Sequence, residues 1–397
     1  MSKSTLSLGK LSLVVALISL IVWQPDAVAQ IPAQSIIWQK PVGGTKHDEI
    51  RDMVNTPDGG CVFTGFTNSI DGDIAINKGD DDLLVCKLDA FGNIEWIKTY
   101  GGSGQEWGRS IKLTRDGGYI VGGHNTSQGD LLDVKGNHGG FDYWILKLTN
   151  KGELQWQQSL GGSLLDLGYS IDQTDDGGYI AFGGVKSIDG NVTGKTTVDA
   201  DYWLVKLDFN GNIMWQRTIG GPDHEEGSSA RITTDGGLII SGFTSSNSGD
   251  VIGNHGTDDV FMVKTDSLGG IDWARCYGGS LEDAARDACQ TSDGGYIFAG
   301  YTNSADGDVS SKHNDQDIWV VKLDAAGNII WENAFGGNSL EYAYSIEENI
   351  DHTGYLVAGH TGSTGGNVSG NNGLYDIWVF ELDLNGKLVW QKCLGGS

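Results

Sequence analysis

Proline, methionine and basic side chains are scarce in this sequence, and cysteine occurs in an odd number. The 397 residues include 5 prolines, 4 methionines and 5 cysteines. The cysteines are Cys61, Cys86, Cys276, Cys289 and Cys393. Because no pair of cysteines recurs along the sequence, the set argues against a disulfide framework. We expect free thiols packed inside the protein.

Positive charge is in deficit, since 26 basic residues face 52 acidic ones and the formal net charge is −26. Such a field repels nucleic acid and anionic membrane surfaces, so we expect neither as a partner. The acidic excess fits either an ordinary soluble surface or a surface that attracts cations or basic partners.

A long apolar run is confined to the N-terminus, from Leu11 to Trp23. It follows two lysines and precedes Ala27–Ala29, the order found in secretory signal peptides. The run is too short to span a bilayer comfortably, which makes a membrane span the weaker alternative. We predict a signal peptide at residues 1–29 and one mature domain at residues 30–397. The domain is expected outside the cell or on its surface, with the periplasm as the other destination.

Tryptophan marks a regular repeat along the rest of the sequence. One tryptophan recurs with successive gaps of 58, 60, 59, 58, 58 and 59 residues. Its positions are Trp38, Trp96, Trp156, Trp215, Trp273, Trp331 and Trp390. Self-similarity at a regular period indicates one supersecondary unit that has been copied and stacked.

The unit between Gly101 and Leu160 contains four short strand patterns. GRSIKLT and YIVGG flank the turn Asp116–Gly118, whose glycines supply the positive φ angle of a tight hairpin. A polar loop leads to DYWILKL, and a second turn leads to LQWQQSL, which carries the tryptophan. Four antiparallel strands in about 58 residues, without helical periodicity, are typical of one β-propeller blade.

Six sets of the first three strands accompany the seven tryptophan strands. The sequence therefore predicts an all-β, six-bladed β-propeller of four-stranded antiparallel blades, closed by pairing of the chain ends. Either Ile36–Lys40 or Leu388–Lys392 is expected to complete the last blade. An open β-solenoid is the main competitor, but its coils need only about 20 to 25 residues each. A closed ring also removes exposed sheet edges.

The repeat resembles known families. Second strands such as YIVGG, followed by DYWILKL and a tryptophan strand, resemble the kelch-type layout. The hairpin LDAFGNIEW (Leu88–Trp96) is similar to the tryptophan-docking motif of quinoprotein propellers, although it is one residue shorter. The combination of DGGYI with DYWxxKLDxxGNxxW is similar to repeats of about 58 residues in secreted proteins of Bacteroidota. That resemblance covers Ile36–Ser397 and implies a secreted β-propeller.

The fourth-strand tryptophans are expected between blades, because burying such a side chain removes about 150 to 250 Å² from water. A second buried layer is predicted on the third strands. Its members are Trp144, Trp203, Trp319 and Trp378, with Leu84 and Phe261 at the equivalent positions. Trp107 differs because it lies in a connection beside Glu106. We predict that Trp107 is an exposed stacking platform for a ligand such as a glycan.

An acidic residue recurs just before each first strand, after a double glycine. These residues are Asp48, Glu106, Asp166, Glu225, Asp283 and Glu341. In a propeller they would surround the mouth of the central channel, where neighbours about 8 Å apart repel by roughly 0.5 to 2 kcal/mol per pair. The carboxylates either turn sideways and accept backbone N–H groups as a clip between blades, which we favour, or bind a cation or basic partner. Together with Trp107 they are our candidate ligand-binding residues.

The long loops between second and third strands carry further acidic residues. Candidate calcium ligands among them are Asp73, Asp82, Asp130, Asp142, Asp250, Asp259, Asp308 and Asp317. Carboxylate oxygens suit calcium, but the spacing does not match the twelve-residue calcium-hand loop. Asx-turns that organise the loop backbone explain the same residues. We therefore expect no required cofactor and keep calcium as a candidate.

Signals for catalysis are weak. His138, His255 and His313 lie in loops without metal-ligand spacing, and no serine or cysteine stands in a nucleophile motif. We predict a monomeric, non-enzymatic binding or scaffold module with a cation, glycan or protein bound on the acidic loop face. The alternative is a polysaccharide-active hydrolase or lyase on a kelch-like propeller, whose acid pair would lie about 5 to 9.5 Å apart.

Overall fold

The computed structural model of the protein describes residues 38–128, 133–313 and 315–396. Within these ranges the chain is all-β and forms six four-stranded antiparallel sheets without any helix. Each sheet consists of four consecutive strands and is one blade of a six-bladed β-propeller, which confirms the predicted fold class. The predicted signal peptide at residues 1–29 lies outside the described residues. Among those described, no helix is long and apolar enough to cross a membrane.

The strands have nearly the same length and order in every blade. Blade 1 contains β1 (Asp48–Asn55), β2 (Cys61–Thr67), β3 (Asp82–Leu88) and β4 (Ile94–Tyr100). Blade 2 contains β5 (Glu106–Leu113), β6 (Tyr119–Asn125), β7 (Asp142–Leu148) and β8 (Leu154–Leu160). Blade 3 contains β9 (Asp166–Gln173), β10 (Tyr179–Val185), β11 (Asp201–Leu207) and β12 (Ile213–Ile219). Blade 4 contains β13 (Glu225–Ile232), β14 (Leu238–Thr244), β15 (Asp259–Thr265) and β16 (Ile271–Tyr277). Blade 5 contains β17 (Asp283–Gln290), β18 (Tyr296–Thr302), β19 (Asp317–Leu323) and β20 (Ile329–Phe335). Blade 6 contains β21 (Glu341–Glu348), β22 (Gly354–Thr361), β23 (Asp376–Asp383) and β24 (Leu388–Leu394).

The first hairpin of a blade turns at an aspartate and two glycines, as the sequence pattern predicts. In blade 3, Gly177 takes a φ angle of 84°, which favours glycine. Asp176 Oδ1 accepts hydrogen bonds from Gly178 N (2.9 Å) and Thr174 Oγ1 (2.6 Å), while Lys206 Nζ lies 2.8 Å from Oδ2. Hydrogen bonds from Lys206 and Thr174 lower the pKa of Asp176 to about 2. The same pair recurs as Asp58–Lys87, Asp116–Lys147, Asp235–Lys264 and Asp293–Lys322.

The hydrophobic core lies between adjacent blades and confirms both predicted tryptophan layers. On the third strands, Trp144, Trp203, Trp319 and Trp378 are 0% exposed, Phe261 is 0% exposed and Leu84 is 1% exposed. The fourth-strand tryptophans are half-buried, and four of them reach an aromatic ring of the next blade, namely Trp96, Trp156, Trp273 and Trp331. Trp156 lies 5.6 Å from Tyr179 between ring centroids, and Trp331 Nε1 donates to Leu384 O at 3.0 Å.

All five cysteines are free, as expected. Four are buried and Cys393 is partly exposed. Burial raises the pKa of Cys61 to about 11, so this thiol is a packing group rather than a nucleophile.

Pairing of the chain ends does not complete a blade among the described residues. β24 pairs antiparallel with β23 of its own repeat, and every repeat supplies its own fourth strand. Residues 38–40 lie outside any strand, while Ile36 and Ile37 are outside the described residues. Leu388–Lys392 thus belongs to blade 6 by sequence order, and Trp38 is additional to the six complete blades.

The chain divides into two compact units. Within the described ranges, the first contains residues 38–198 and 205–216, and the second contains residues 199–204 and 217–396. The division passes through β11, so it does not follow a linker between sequence domains.

Candidate functional site

The acidic residue before each first strand turns into the protein. Five of the six are fully buried, namely Glu106, Asp166, Glu225, Asp283 and Glu341. Asp48 is half-buried. In blade 5, Asp283 Oδ2 accepts hydrogen bonds from Gly279 N (2.8 Å) and Ser304 Oγ (2.7 Å), and Thr302 Oγ1 donates to Oδ1. The carboxylate therefore holds the connection from blade 4 against the long loop of blade 5.

The same clip is built in the other repeats. The donating glycine N–H lies four residues before the acid, at 2.7 to 3.0 Å, in Gly44, Gly102, Gly162, Gly221 and Gly337. Burial raises the pKa values of Glu106, Glu225 and Glu341, against the opposing effect of these hydrogen bonds. This geometry is the one expected for the structural alternative that the sequence favours.

In five of the six connections a second buried carboxylate meets the clip at a glycine. In the connection between blades 2 and 3, a Cβ atom at Gly161 would lie 2.6 Å from both Asp142 Oδ1 and Asp166 Oδ2. The equivalent sets are Gly101 with Asp82 and Glu106, Gly220 with Asp201 and Glu225, Gly278 with Asp259 and Asp283, and Gly336 with Asp317 and Glu341. No side chain fits at this position, which explains the first glycine of every pair.

Five of the six aspartates that begin the third strands accept a hydrogen bond on one carboxylate oxygen, while the other oxygen has no partner among the described residues. Asp142 Oδ2 accepts His138 N at 2.8 Å, whereas the buried Oδ1 has no partner in the described part of the chain. The same holds for Oδ1 of Asp82, Asp259, Asp317 and Asp376. Burial raises the pKa of Asp82 and of Asp142 to about 6. These carboxyl groups are protonated more readily in the folded protein than in the unfolded chain.

The loop aspartates proposed as calcium ligands also accept internal hydrogen bonds. Their Oδ2 atoms accept the first glycine N–H of a connection, at 3.2 Å for Asp73 and Gly43, 3.3 Å for Asp250 and Gly220, and 3.2 Å for Asp308 and Gly278. No group of three or more His, Cys, Asp or Glu side chains is arranged to hold a metal within the described ranges.

The loop of blade 2 has an aspartate with the equivalent bond that was not among the candidates. Asp130 lies outside the described residues, and Asp133 makes the equivalent bond, with its Oδ2 3.2 Å from Gly101 N. Asp133 lies nine residues before Asp142, the same separation as between Asp73 and Asp82. Counting back from the third strand, rather than forward from a glycine, would have found it.

Three histidines pair with buried third-strand aspartates, a feature that sequence spacing did not reveal. The Nδ1 to Oδ2 distances are 2.7 Å for His138–Asp142, 2.8 Å for His255–Asp259 and 2.9 Å for His313–Asp317. The histidine side chains remain 33%, 46% and 36% exposed, respectively. Lys78 and Asn372 occupy the same position in blades 1 and 6 and donate the same backbone N–H. The backbone bond is therefore common to these loops, and the imidazole is an addition.

Trp107 is half-buried at the start of β5 rather than fully exposed. Its ring stacks on Phe66 with centroids 4.8 Å apart and planes at 17°, and its Nε1 donates to Asp81 Oδ2 at 3.1 Å. The Arg109 guanidinium lies 5.2 Å from the Trp107 ring centroid, and that of Arg51 lies 5.9 Å from the Phe66 centroid. We call Arg51, Phe66, Trp107 and Arg109 the aromatic–arginine patch, which joins blades 1 and 2.

The six antiparallel blades define a β-propeller protein. The sequence matches no protein-family model and no curated protein. Among solved structures it is similar to a Bacteroides caccae protein of unknown function, with 13% identity, a TM-score of 0.42, and coverage of 75% of this chain and 85% of that one. It is also similar to the Pan2 WD40 domain of Neurospora crassa, with 11% identity, a TM-score of 0.47, and coverage of 85% and 78%. A third similar structure is hydrazine synthase of Kuenenia stuttgartiensis, with 12% identity, a TM-score of 0.48, and coverage of 80% of this chain and 83% of that one. Similarities at this level carry no information about activity or partners.

Proposed function

We propose that this chain is a secreted, non-enzymatic binding module whose ligand is a glycan with carboxylate or sulfate groups. The observation that carries the proposal is the aromatic–arginine patch, because it sets one blade junction apart from the repeat. Other residue types stand at the position of Trp107 in the other blades. They are Glu49, Leu167, Glu226, Ala284 and Tyr342.

The chemistry of the patch supports a ligand with a flat apolar face and anionic groups. Trp107 is held in place by Phe66, which is 2% exposed, and by its bond to Asp81. A ring that is oriented in advance loses little entropy when a sugar face stacks on it. Arg109 adds a guanidinium group, whose planar donor geometry suits a carboxylate or sulfate, whereas Arg51 Nη2 already lies 2.9 Å from Glu49 Oε1.

The acidic residues nearby support a glycan over a cation as the ligand. Five of the six carboxylates before the first strands are buried and accept hydrogen bonds within the protein. A cation would have to compete with those N–H donors for the same oxygen atoms. The proposal therefore assigns the carboxylates to blade assembly and the patch to recognition.

Binding of uronate and sulfated oligosaccharides, measured by calorimetry, tests the proposal. We expect Trp107→Ala and Arg109→Gln each to weaken binding roughly fivefold, since a stacking or cation–π contact contributes about 1 kcal/mol. Leu167→Ala, at the position of Trp107 in blade 3, is the matched control and should leave affinity unchanged. Circular dichroism establishes that each variant is folded at the temperature used.

Two results would count against this function. The first is the absence of binding to every acidic glycan tested, and the second is undiminished binding by folded Trp107→Ala. Binding to a protein on the same patch, lost in the same variants, would keep the site and change the ligand class.

A polysaccharide-active enzyme is the second candidate, and the exposed histidines favour it. Asp142 accepts a bond from His138 Nδ1, which leaves Nε2 of a one-third exposed ring available as a general base. Release of reducing ends or unsaturated sugars from a glycan, lost in His138→Gln, would establish turnover in place of simple binding.

A further inference from the structure

Blade 6 repeats the aromatic arrangement that surrounds Trp107 in blade 2. Three positions define the arrangement: the second residue of the first strand, its partner on the second strand, and the residue before the third strand. In blade 2 these positions hold Trp107, His124 and Phe141. In blade 6 they hold Tyr342, His360 and Tyr375. Both blades therefore carry a histidine together with two aromatic residues at equivalent positions.

The other four blades lack this set. Blade 1 has Glu49, Phe66 and Asp81 at the three positions, and blade 3 has Leu167, Gly184 and Ala200. Blade 4 has Glu226, Phe243 and Asp258, and blade 5 has Ala284, Tyr301 and Gln316. A residue that every blade needs for folding recurs in every blade, so this set serves blades 2 and 6 in particular.

The rings of blade 6 pack as those of blade 2 do. His360 and Tyr375 meet edge to face, with ring centroids 5.4 Å apart and planes at 88°. The corresponding pair in blade 2 has values of 5.1 Å and 87°. The centroid of Tyr342 lies 5.1 Å from that of His360, and the centroid of Trp107 lies 5.4 Å from that of its histidine. The shared residues therefore form the same three-dimensional arrangement in both blades.

Each histidine leaves a buried atom without a hydrogen bond. Nδ1 of His124 and Nδ1 of His360 have no partner in the described part of the chain. Such an atom makes folding less favourable, and an apolar residue of similar shape avoids the penalty. Phe66 is such a residue at this position in blade 1. Stability alone therefore does not account for the two histidines.

Blade 6 adds an exposed tyrosine to the arrangement. Tyr344 is 46% exposed, and its ring centroid lies 5.4 Å from that of His360. Tyr375 is 48% exposed, and its ring is held close to the backbone, because a Cβ atom at Gly362 would lie 3.0 Å from it. We call Tyr342, Tyr344, His360 and Tyr375 the tyrosine patch. His360 thus contacts three tyrosine rings, two of which are open to solvent.

The rings that the tyrosine patch exposes are uncharged. Tyr344 stands where blade 2 has Arg109. Burial lowers the pKa of His360 to about 4, which keeps the imidazole neutral at pH 7. The guanidinium group of Arg286 lies instead over Tyr301 in blade 5, 5.5 Å from the centroid of a ring that is 4% exposed. An uncharged ligand therefore suits this surface better than the acidic ligand that Arg109 favours.

The loop that leads to Tyr375 is uncharged as well. Gly362–Leu374 reads GSTGGNVSGNNGL and contains no Asp, Glu, Lys or Arg. The corresponding loop of every other blade contains at least two such residues. Hydroxyl and amide groups both donate and accept hydrogen bonds, as the hydroxyl groups of a sugar do. In a protein with a net charge of −26, this loop offers a neutral, hydroxyl-rich and amide-rich surface beside the exposed rings.

We propose that the tyrosine patch is a second glycan site, which binds an uncharged oligosaccharide by stacking. The apolar face of a pyranose ring packs on an aromatic ring, while its hydroxyl groups bond with phenol O–H groups. The contacts of Tyr344 and Tyr375 with His360 orient both rings before the ligand arrives, which limits the entropy lost on binding. All four residues belong to the second compact unit, and the site does not require the aromatic–arginine patch to bind a ligand.

Isothermal titration calorimetry with cellohexaose, xylohexaose, laminarihexaose and mannohexaose tests the proposal. We expect at least one of these uncharged sugars to bind, and Tyr344→Ala and Tyr375→Ala each to weaken that binding roughly fivefold, which corresponds to about 1 kcal/mol of stacking. Tyr344→Phe keeps the ring and should weaken binding less than Tyr344→Ala does. Phe91→Ala removes an aromatic residue that is 83% exposed outside both patches, and this matched control should leave the affinity unchanged.

A Trp107→Ala background separates this site from the aromatic–arginine patch. The effect of Tyr344→Ala should persist in that background, because the two rings belong to different sites. An aromatic–arginine patch that binds no acidic glycan leaves this result unaffected, so the two proposed sites can fail separately.

Three results would overturn the second site. They are the absence of binding of all four sugars to the wild-type protein, undiminished binding by folded Tyr344→Ala and Tyr375→Ala, and loss of the tyrosine effect in the Trp107→Ala background. Circular dichroism establishes that each variant is folded. If Tyr344→Ala does not fold, Tyr375→Ala decides the outcome by itself.

Discussion

Lys206 illustrates how one side chain ties together two hairpins of a blade. It stands on β11 with 7% of its side chain exposed, and its Nζ reaches Asp176 in the first hairpin turn at 2.8 Å. It also donates to Leu207 O at 3.1 Å. Burying an ammonium group is unfavourable unless a carboxylate compensates its charge. The aspartate in the turn between β9 and β10 therefore neutralises the lysine on β11. Blade 6 has Glu381 at the lysine position, where it accepts a bond from Asn349.

Asp176→Asn is predicted to lower the free energy of unfolding by about 2 kcal/mol, because the buried ammonium group of Lys206 loses its counter-charge. The loss is smaller than for a fully buried pair, since the Asp176 side chain is 52% exposed. Urea unfolding at neutral pH measures the change. In blade 6, the turn residue Asp351 stands opposite Glu381 rather than a lysine. Asp351→Asn should therefore lower the free energy of unfolding by less than about 0.5 kcal/mol. Equal losses in the two variants would show that the turn, rather than the ion pair, matters.

At the scale of the element, the double-glycine connection joins one blade to the next. Its first glycine leaves room for two buried carboxylates, and its second donates an N–H to the acidic residue four positions later. The sequence pattern GG followed by an acid is therefore the signature of one assembly. A backbone segment without side chains is required because both carboxylates approach it closely.

Gly161→Ala is predicted to lower the free energy of unfolding by about 3 kcal/mol or more, since Asp142 and Asp166 must both move from a packed interior. Gly184→Ala in β10 provides the control, because the nearest atom to its added Cβ is Tyr169 Cε2 at 4.0 Å. Thermal and urea unfolding of both variants measure the difference. A similar stability for the two variants would contradict the proposed crowding at Gly161.

For the whole molecule, two sets of carboxyl groups change the stability in opposite directions as pH falls. Burial raises the pKa of Asp82 and Asp142 from 3.8 to about 6. Between about pH 4 and pH 6 the folded state therefore binds more protons than the unfolded state. Their contribution to stability therefore increases as pH falls through 6. The hairpin aspartate Asp176, held at a pKa of about 2, contributes stability that is lost as pH falls from about 4 towards 2.

Two histidines oppose the gain from Asp82 and Asp142, because burial lowers the pKa of His124 well below its ordinary value and that of His360 to about 4. The unfolded chain therefore binds more protons at these two positions as pH falls through 6.5, and their contribution to stability is lost.

We predict a net loss of about 1 to 2 kcal/mol between pH 7.5 and pH 5 and a steep decline below about pH 4. Denaturant unfolding across this range gives the profile. Asp142→Asn removes one of the groups with a raised pKa and should deepen the loss between pH 7.5 and pH 5. A rise in stability over this range would show that the two histidines are not kept neutral by burial.

The blades and their buried layers were predictable from the sequence, whereas the directions of the polar side chains were not. The periodic tryptophans and the turns containing Asp and Gly predicted six blades and the buried third-strand layer, because strand alternation and burial act over short stretches of sequence. The orientation of Asp283 was left as two alternatives, since it depends on donors at Gly279 and Ser304 that the fold brings together. The histidine–aspartate pairs depend likewise on loop conformation.

Trp107 in the aromatic–arginine patch was likewise predictable only in part. Its departure from the repeat was visible in the sequence, and that alone made it a candidate binding residue. Its support by Phe66 and its neighbour Arg109 appeared only in the structure, because residues 41 positions apart are brought together by adjacent blades.

The sequence by itself determined the repeat, the strands and the apolar layers of this protein, since each follows from local pattern and from the burial that pattern demands. Only the tertiary structure decided which partners the carboxylates take and how Phe66 supports Trp107. Those outcomes depend on hydrogen-bond donors and packing surfaces that distant parts of the sequence supply.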